Sequence, residues 1–444
     1  MKLSDKLWPL TKLYIYLSGN CNLECRHCWI DPVTVSGSGN GASQLELSVL
    51  KRTVTEAKAL GLKSVKLTGG EPFLYPDINS FIKWLGQENI DITIETNGTL
   101  LGEREISVMK ESGVSRLAIA LDGSDENIHR KMRGRQGCFD STVDSIRAAA
   151  GKKLNVQVIF SLWKQNVGDI RATAILAEEL GAKSFKINPV AAISRGRQMS
   201  ESNETLSVEE ILELRESVFK LAADMSIPVR LDIPVAFLPL ERIKEEMSVC
   251  RLKNIMGVLS DGSISICGIG VNIKELILGS IYRDSLTDIW KDSNMLNTVR
   301  TGLPGNLQGI CAKCVFRYTC LGKCRAEVFA REKDLFKPHA FCKKAAETGI
   351  FPATRAYDGQ AGHYDLVGEF VFLREKGGAL LFNPSTGFLG TLNDVGALIV
   401  ESISSQMTKE EIICRIVDIY SVDRETAEDD FNGLLERLRI ENIL

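Results

Sequence analysis

Leu13-Tyr-Ile-Tyr-Leu17-Ser-Gly-Asn-Cys21-Asn-Leu-Glu-Cys25-Arg-His-Cys28-Trp29 is the stretch on which the reading of this chain turns. A short β-rich run leads directly into three cysteines spaced C-x3-C-x2-C. Three thiolates at this spacing can hold three irons of a [4Fe–4S] cube and leave the fourth open to a small molecule. A zinc site or three buried free thiols is the plainer alternative. Zinc wants four N or S ligands, and His27, inside the same loop, is awkwardly placed to be the fourth.

Further runs of the same kind follow at Val65–Leu67, Ile92–Glu95, Leu117–Leu121, Val156–Phe160 and Phe185–Ile187. The segments between them, such as Leu45 to Leu60 and Ile170 to Leu180, carry helical apolar spacing. Strand–helix alternation predicts a parallel sheet covered by helices. Six units fall short of the eight in a closed α/β barrel, so a partial barrel is expected, with chemistry at the carboxyl ends of its strands. The first cysteine loop stands at such an end.

Composition narrows the classes. At roughly 150 residues per domain, the 444 residues allow two to four domains. Hydrophobic residues make up 44% and charged residues 25%, ordinary for a globular protein. Fifty-four Lys+Arg against 57 Asp+Glu give a net charge of −3, which argues against nonspecific nucleic-acid binding. No apolar run approaches membrane-spanning length, and Met1 to Lys12 lacks a signal-peptide core. These features predict a cytoplasmic protein with no membrane partner. Twelve cysteines in that compartment read as metal ligands before disulfides. Cys138 and Cys414 stand alone and read as small buried side chains.

The cysteine loop, followed by Trp29, resembles the signature of the radical S-adenosylmethionine (SAM) superfamily. Supporting segments come in order: Thr68-Gly69-Gly70-Glu71-Pro72 after the second strand and Glu95-Thr96-Asn97-Gly98 after the third. Leu121-Asp122-Gly123 then precedes Ile128–Gly134 after the fourth. The resemblance implies that Cys21, Cys25 and Cys28 bind a SAM-cleaving cluster and that Trp29 lies near the adenine. It also implies that Gly69, Gly70 and Glu71 bind the SAM amino group, with Asn97 and Ser161 as further contacts and Asn188 a weaker one. Ala120 stands where a serine often precedes the Leu-Asp-Gly, so a hydroxyl contact from that position is missing.

From about residue 248 to 345 long helices fade, and cysteines recur as Cys250-x11-Gly262-x4-Cys267, Cys311-x2-Cys314-x5-Cys320-x3-Cys324 and Cys342. This resembles the seven-cysteine SPASM domain, which holds two auxiliary [4Fe–4S] clusters. By position, Cys250, Cys267 and Cys324 would bind the first, leaving an iron open or held by another ligand. Cys311, Cys314, Cys320 and Cys342 would complete the second. Thr348 to Gly362 reads as a linker. From His363 to Leu444 come strand-like runs at Glu369–Leu373, Gly378–Phe382 and near Phe388. Helices follow near Asp394–Ser404, Lys409–Tyr420 and Thr426–Arg439. This segment resembles a PqqD-like peptide-recognition element. Its 7 Lys+Arg against 15 Asp+Glu give −8, which argues against a DNA-binding winged helix.

The implied fold is α/β: a partial (β/α)6 radical SAM barrel, an iron–sulfur SPASM domain and a small winged-helix-like α+β domain. The expected spans are 1–235, 236–347 and 363–444, with the linker at 348–362. The implied cofactors are SAM and three [4Fe–4S] clusters. The implied function is maturation of a ribosomally made precursor peptide bound through its leader, with cysteine thioethers as the preferred product. Carbon–carbon crosslinking or another oxidative modification is the alternative, and a non-catalytic iron–sulfur scaffold a distant one. A flavodoxin or ferredoxin would supply electrons.

Overall fold

In a computed structural model, residues 8–35, 44–246, 250–357, 370–441 and 443 are described. They form two compact units. The first comprises the chain up to Asp232 together with Arg251–Thr301 and Cys324–Leu335. The second comprises Ile233–Cys250, Gly302–Lys323 and Phe336–Leu444. The cysteine-rich segment is thus divided between them.

Six parallel strands run in sequence order through the first unit: β1 (Lys12–Tyr16), β2 (Ser64–Thr68), β3 (Asp91–Thr96), β4 (Arg116–Ala120), β5 (Val156–Leu162) and β6 (Ser184–Pro189). Leu13 and Ile15, Val65 and Leu67, Ile92 and Ile94, and Phe185 and Ile187 are fully buried. These alternate positions carry the branched and aromatic side chains that favour strands. The opposite faces are more polar, with ion pairs Lys66–Glu95 and Lys186–Asp232. Helices α1 (Leu47–Ala59), α2 (Ile78–Gln87), α3 (Glu103–Glu111), α4 (Glu126–Arg133), α5 (Cys138–Gly151) and α6 (Ile170–Glu179) alternate with the strands. This is the expected partial barrel.

The sheet is wider than six strands. Next to β6 lies parallel β7 (Val229–Leu231). Beyond β1 lie parallel β8 (Ile255–Val258) and then antiparallel β9 (Ser263–Ser265) and β10 (Ile277–Ser280), ten strands in all. These additions are three or four residues long and gain their stability from an edge already in place.

In the second unit a three-stranded antiparallel sheet, β11 (Val371–Glu375), β12 (Gly378–Phe382) and β13 (Leu389–Leu392), packs with helices α7 (Asp394–Ser404), α8 (Lys409–Tyr420) and α9 (Arg424–Ile440). Phe372, Leu381, Ile399, Ile416, Phe431 and Leu434 belong to its core. Glu369, the expected start of the first strand, lies outside the described residues, as do 358–362 of the expected linker. Residues 353–357 are built into the unit. Arg355 lies in a short 3-10 turn, forms an ion pair with Glu375 of β11 at 2.6 Å, and donates to the Leu238 carbonyl at 2.5 Å.

Candidate active site and auxiliary cluster sites

The first cysteine loop leaves β1 and is fixed from several sides. Asn20–Cys21 pairs with Val33–Thr34. Cys21, Leu23 and Cys25 pack as one buried cluster, with half-buried Cys28 against it. Cys138, at the start of α5, packs into the same cluster. Cys414 is exposed, contrary to its reading as a buried side chain.

The Gly69–Glu71 segment lies against the chain that enters this loop. Gly70 donates its N–H to the Ser18 carbonyl at 2.9 Å, and Glu71 to that of Asn20 at 2.8 Å. A Cβ on Gly69, whose φ is +139°, would sit 2.6 Å from the Ser18 oxygen. One on Gly70 would sit 1.9 Å from the Asn20 oxygen. The carboxylate of Glu71 is fully buried and accepts from Thr96 Oγ1 at 2.7 Å, the Asn97 N–H at 2.9 Å and the Phe73 N–H at 3.1 Å. Burial pushes its carboxyl up to about 7, against the pull of those bonds. Glu71 therefore stitches the β2 loop to the β3 loop. Asn97 continues the stitch, donating from Nδ2 to Asn22 Oδ1 of the cysteine loop at 2.8 Å.

Ser161, at the end of β5, holds its hydroxyl 3.2 Å from His27 Nε2. Burial and nearby Arg133 hold His27 down to about 4, so its ring is neutral near pH 7. Trp29 donates from its indole to the Tyr16 hydroxyl at 3.4 Å. The Oδ1 of Asn188 is buried with no hydrogen-bond partner. The structure thus brings Cys21, Cys25 and Cys28 together with Glu71, Asn97 and Ser161 at the carboxyl ends of β2, β3 and β5.

Sequence reasoning assigned no role to the pair Asp122 and Arg133. Both are buried, and Arg133 Nε lies 2.6 Å from Asp122 Oδ2. Asp122 also accepts from the Ser161 N–H at 2.7 Å, while Arg133 donates to Cys25 Sγ at 3.5 Å. The available signal was Ile128–Gly134 itself, a polar stretch placed just after a strand end.

Of the later cysteines, Cys311, Cys314, Cys320 and Cys342 line one apolar pocket in the second unit with Pro234, Ala236 and Phe351. Burial pushes the Cys314 and Cys342 thiols up, so a proton must be displaced by a bound cation's charge. Among the described residues no three His, Cys, Asp or Glu side chains converge as they would on a single ion. Four thiolates lining one pocket are the ligand number of a [4Fe–4S] cube. Cys267 and Cys324 belong to the first unit, where each precedes a helical piece, Gly268–Asn272 and Arg325–Glu332, and the two pieces pack together. Cys250 belongs to the second unit.

Comparison with known proteins gives three family matches along the chain. Residues 15–177 match the Radical SAM superfamily, 250–315 an iron–sulfur cluster-binding domain (SPASM), and 378–444 coenzyme PQQ synthesis protein D. The chain is a radical SAM enzyme with a SPASM domain and a PqqD-type domain, and its cofactors are SAM and more than one [4Fe–4S] cluster. An AdoMet-dependent heme synthase of Methanosarcina barkeri is 25% identical over 343 residues, 73% of this chain and 94% of that protein. The antilisterial bacteriocin subtilosin biosynthesis protein AlbA of Bacillus subtilis is 26% identical over 62% of this chain and 58% of its own length. Among solved structures, Streptococcus suis SuiB bound to its precursor peptide SuiA shares the fold. Its TM-score is 0.61 at 18% identity, over 76% of each chain. No helix among the described residues is long and apolar enough to cross a membrane.

Proposed function

We propose that this enzyme matures a ribosomally made precursor peptide in the cytosol, holding the peptide's leader on its C-terminal domain. The proposed domains are a radical SAM core at 1–235, a SPASM region at 236–347, a linker at 348–362 and a recognition domain at 363–444. Cys21, Cys25 and Cys28 hold the SAM-cleaving cluster. Trp29, Gly69, Gly70, Glu71, Asn97 and Ser161 bind or orient SAM. Cys250, Cys267 and Cys324 serve the first auxiliary cluster, and Cys311, Cys314, Cys320 and Cys342 the second.

One observation carries the peptide reading. The strand order β11-β12-β13 leaves two sheet edges. The β11 edge has the Arg355 turn packed against it, while β13 is half-exposed along its whole length. An extended leader can add there as a fourth strand. The Asn383 N–H donates to the Phe388 carbonyl at 2.9 Å, which sets the alternation. The N–H groups of Leu389 and Thr391 therefore face away from β12, toward an incoming strand.

The proposed product is a thioether between a peptide cysteine and a peptide carbon, because a thiolate is a good ligand for an open auxiliary iron. Held by Cys21, Cys25 and Cys28, a cluster with SAM would supply radical chemistry in which a hydrogen atom is lost from the peptide carbon to 5′-deoxyadenosine and a proton from the thiol, and an auxiliary cluster held by the later cysteines would be the acceptor for the one surplus electron. A flavodoxin or ferredoxin returns electrons. Similarity to heme synthases over most of the chain favours a second reading, with an iron porphyrin in the peptide's place. Incubating the reduced enzyme and SAM with candidate precursor peptides from neighbouring reading frames, and in parallel with an iron porphyrin, tests both. Loss of two hydrogens from the peptide, with a blocked cysteine, supports the thioether. Loss of two hydrogens with the thiol free points to carbon–carbon crosslinking. Turnover of the porphyrin alone overturns the peptide reading.

A further inference from the structure

We propose that Arg133 and Asp122 are positioning residues for the SAM-binding cluster and set its reduction potential through the sulfur of Cys25. This rests on the reading that Cys25 is a cluster ligand.

Arg133 occupies the last turn of α4, and its guanidinium reaches two buried groups. Nη1 donates to Cys25 Sγ at 3.5 Å, and Nε makes a charge contact with Asp122 Oδ2 at 2.6 Å. The arginine side chain is 7% exposed and the aspartate 0%. Burial would push the Asp122 carboxyl up, but the Arg133 cation outweighs it and holds the group ionised.

The side chain is not needed to anchor the loop. Backbone bonds from the Glu24 N–H to the Arg133 carbonyl at 3.2 Å, and from the Arg26 N–H to the Met132 carbonyl at 3.0 Å, already tie the loop to α4. Any residue at 133 can supply that carbonyl. What the guanidinium adds is a positive charge and an N–H···S bond on one ligand sulfur, in a site with little water to screen them. Both favour the cluster's more negative, reduced state and raise its potential. Asp122 works against this, because its carboxylate offsets part of the arginine charge.

The two residues should therefore act with opposite sign, which a mere brace would not do. Arg133→Gln removes both the cation and the charge-assisted N–H···S bond from the Cys25 sulfur, so the potential falls. Asp122→Asn leaves the cation uncompensated, so it rises. The double variant Arg133→Gln/Asp122→Asn buries no unpaired charge and should fold even if Arg133→Gln loses stability. Its potential should lie below that of Asp122→Asn.

The experiment is a redox titration of the reconstituted full chain with SAM, read by the electron paramagnetic resonance signal of the reduced cluster, with iron counted per chain. At the parent midpoint, the ratio of reduced to oxidised cluster in Arg133→Gln should fall about tenfold, a shift of about 59 mV for a one-electron couple. In Asp122→Asn it should rise, with iron content unchanged in both. Equal midpoints, shifts of the same sign, or a double variant level with Asp122→Asn overturn the inference. Cys25→Ala separates this from failure of the underlying reading. If that variant keeps the full SAM-responsive signal, Cys25 is no ligand and the whole assignment falls. If it loses the signal while Arg133 variants keep the parent midpoint, only the tuning role is wrong.

Discussion

Gly70→Ala tests whether the β2 loop must touch the cysteine loop for SAM to be cleaved. An added Cβ would lie 1.9 Å from the Asn20 carbonyl oxygen and 2.4 Å from its carbon, where real Cβ contacts are essentially never closer than 3.0 Å. At least ~1.1 Å must be made up, and the obstructing atoms are backbone, so no side chain can swing away. The Asn20 oxygen is also held by the Glu71 N–H at 2.8 Å. Displacing Asn20 therefore moves both its neighbour Cys21 and the Glu71 segment. Overpacking of this kind costs about 1–3 kcal/mol of stability. A misplacement of about 1 Å in a reacting site can cost about 10²-fold in rate. The assay is 5′-deoxyadenosine formation by the reduced, reconstituted protein at saturating SAM, with iron counted per chain. We expect a fall of about 10²-fold with auxiliary iron retained. Gly151→Ala, at the end of α5 where an added Cβ meets nothing within 4 Å, should leave the rate unchanged. A Gly70→Ala rate within about threefold of the parent would refute the close-approach reasoning.

Three further outcomes follow from other parts of the molecule. Replacing Cys21, Cys25 and Cys28 together with Ala should remove about four irons and abolish SAM cleavage while auxiliary iron remains; continued 5′-deoxyadenosine production would count against the assignment. Thr391→Pro removes an N–H that faces away from β12, so the sheet should survive while affinity for a fluorescent leader peptide falls about tenfold, roughly 1.4 kcal/mol. An unchanged Kd would move the leader away from the β13 edge. Glu375→Gln half-breaks a buried ion pair and should lower hydrogen-exchange protection of β11 and β12 by about 3–5 kcal/mol. Burial pushes the Glu375 carboxyl up, yet the bond to Arg355 more than offsets this and holds it below its ordinary value. Its contribution is therefore full above about pH 4.3 and lost as pH falls through the lowered value. The parent should lose protection on acidification more steeply than Glu375→Gln, after correction for intrinsic exchange, and parallel losses would exclude the pair as the cause.

What could be read from the sequence was what local chemistry decides. Gly378–Phe382, Asp394–Ser404 and Lys409–Tyr420 stand where their patterns put them. Asn393 and Thr408 cap the two helices, and Thr408 forms a reciprocal box with Glu411. The last helix begins at Arg424, two residues before the expected Thr426, because Asp423 caps it by accepting the Thr426 N–H. That cap is present in the sequence, three residues before Thr426. The cysteine loops were legible because spacing alone limits which metal groups three or four thiolates can hold.

What escaped the sequence depends on pairing across the fold. Strands β8 to β10 are too short to announce themselves, since three residues show no period until a neighbour supplies the hydrogen bonds. The Gly, Pro and Ala content of 348–362 reads as a linker, but composition averages away the one residue that matters. Arg355 is buried, bonded to Glu375 twenty residues later and to carbonyls more than a hundred residues earlier. Asp122 and Arg133 are concealed in the same way. Nothing in eleven residues of separation says that an eight-residue helix will return an arginine to the strand end and aim it at a thiol from another loop. Charged residues that pair at long range carry no local signature, whereas cysteines at fixed spacing carry one. The sequence could therefore point to where the cluster ligands are, while the groups that set how readily such a cluster is reduced emerge only once the chain is folded.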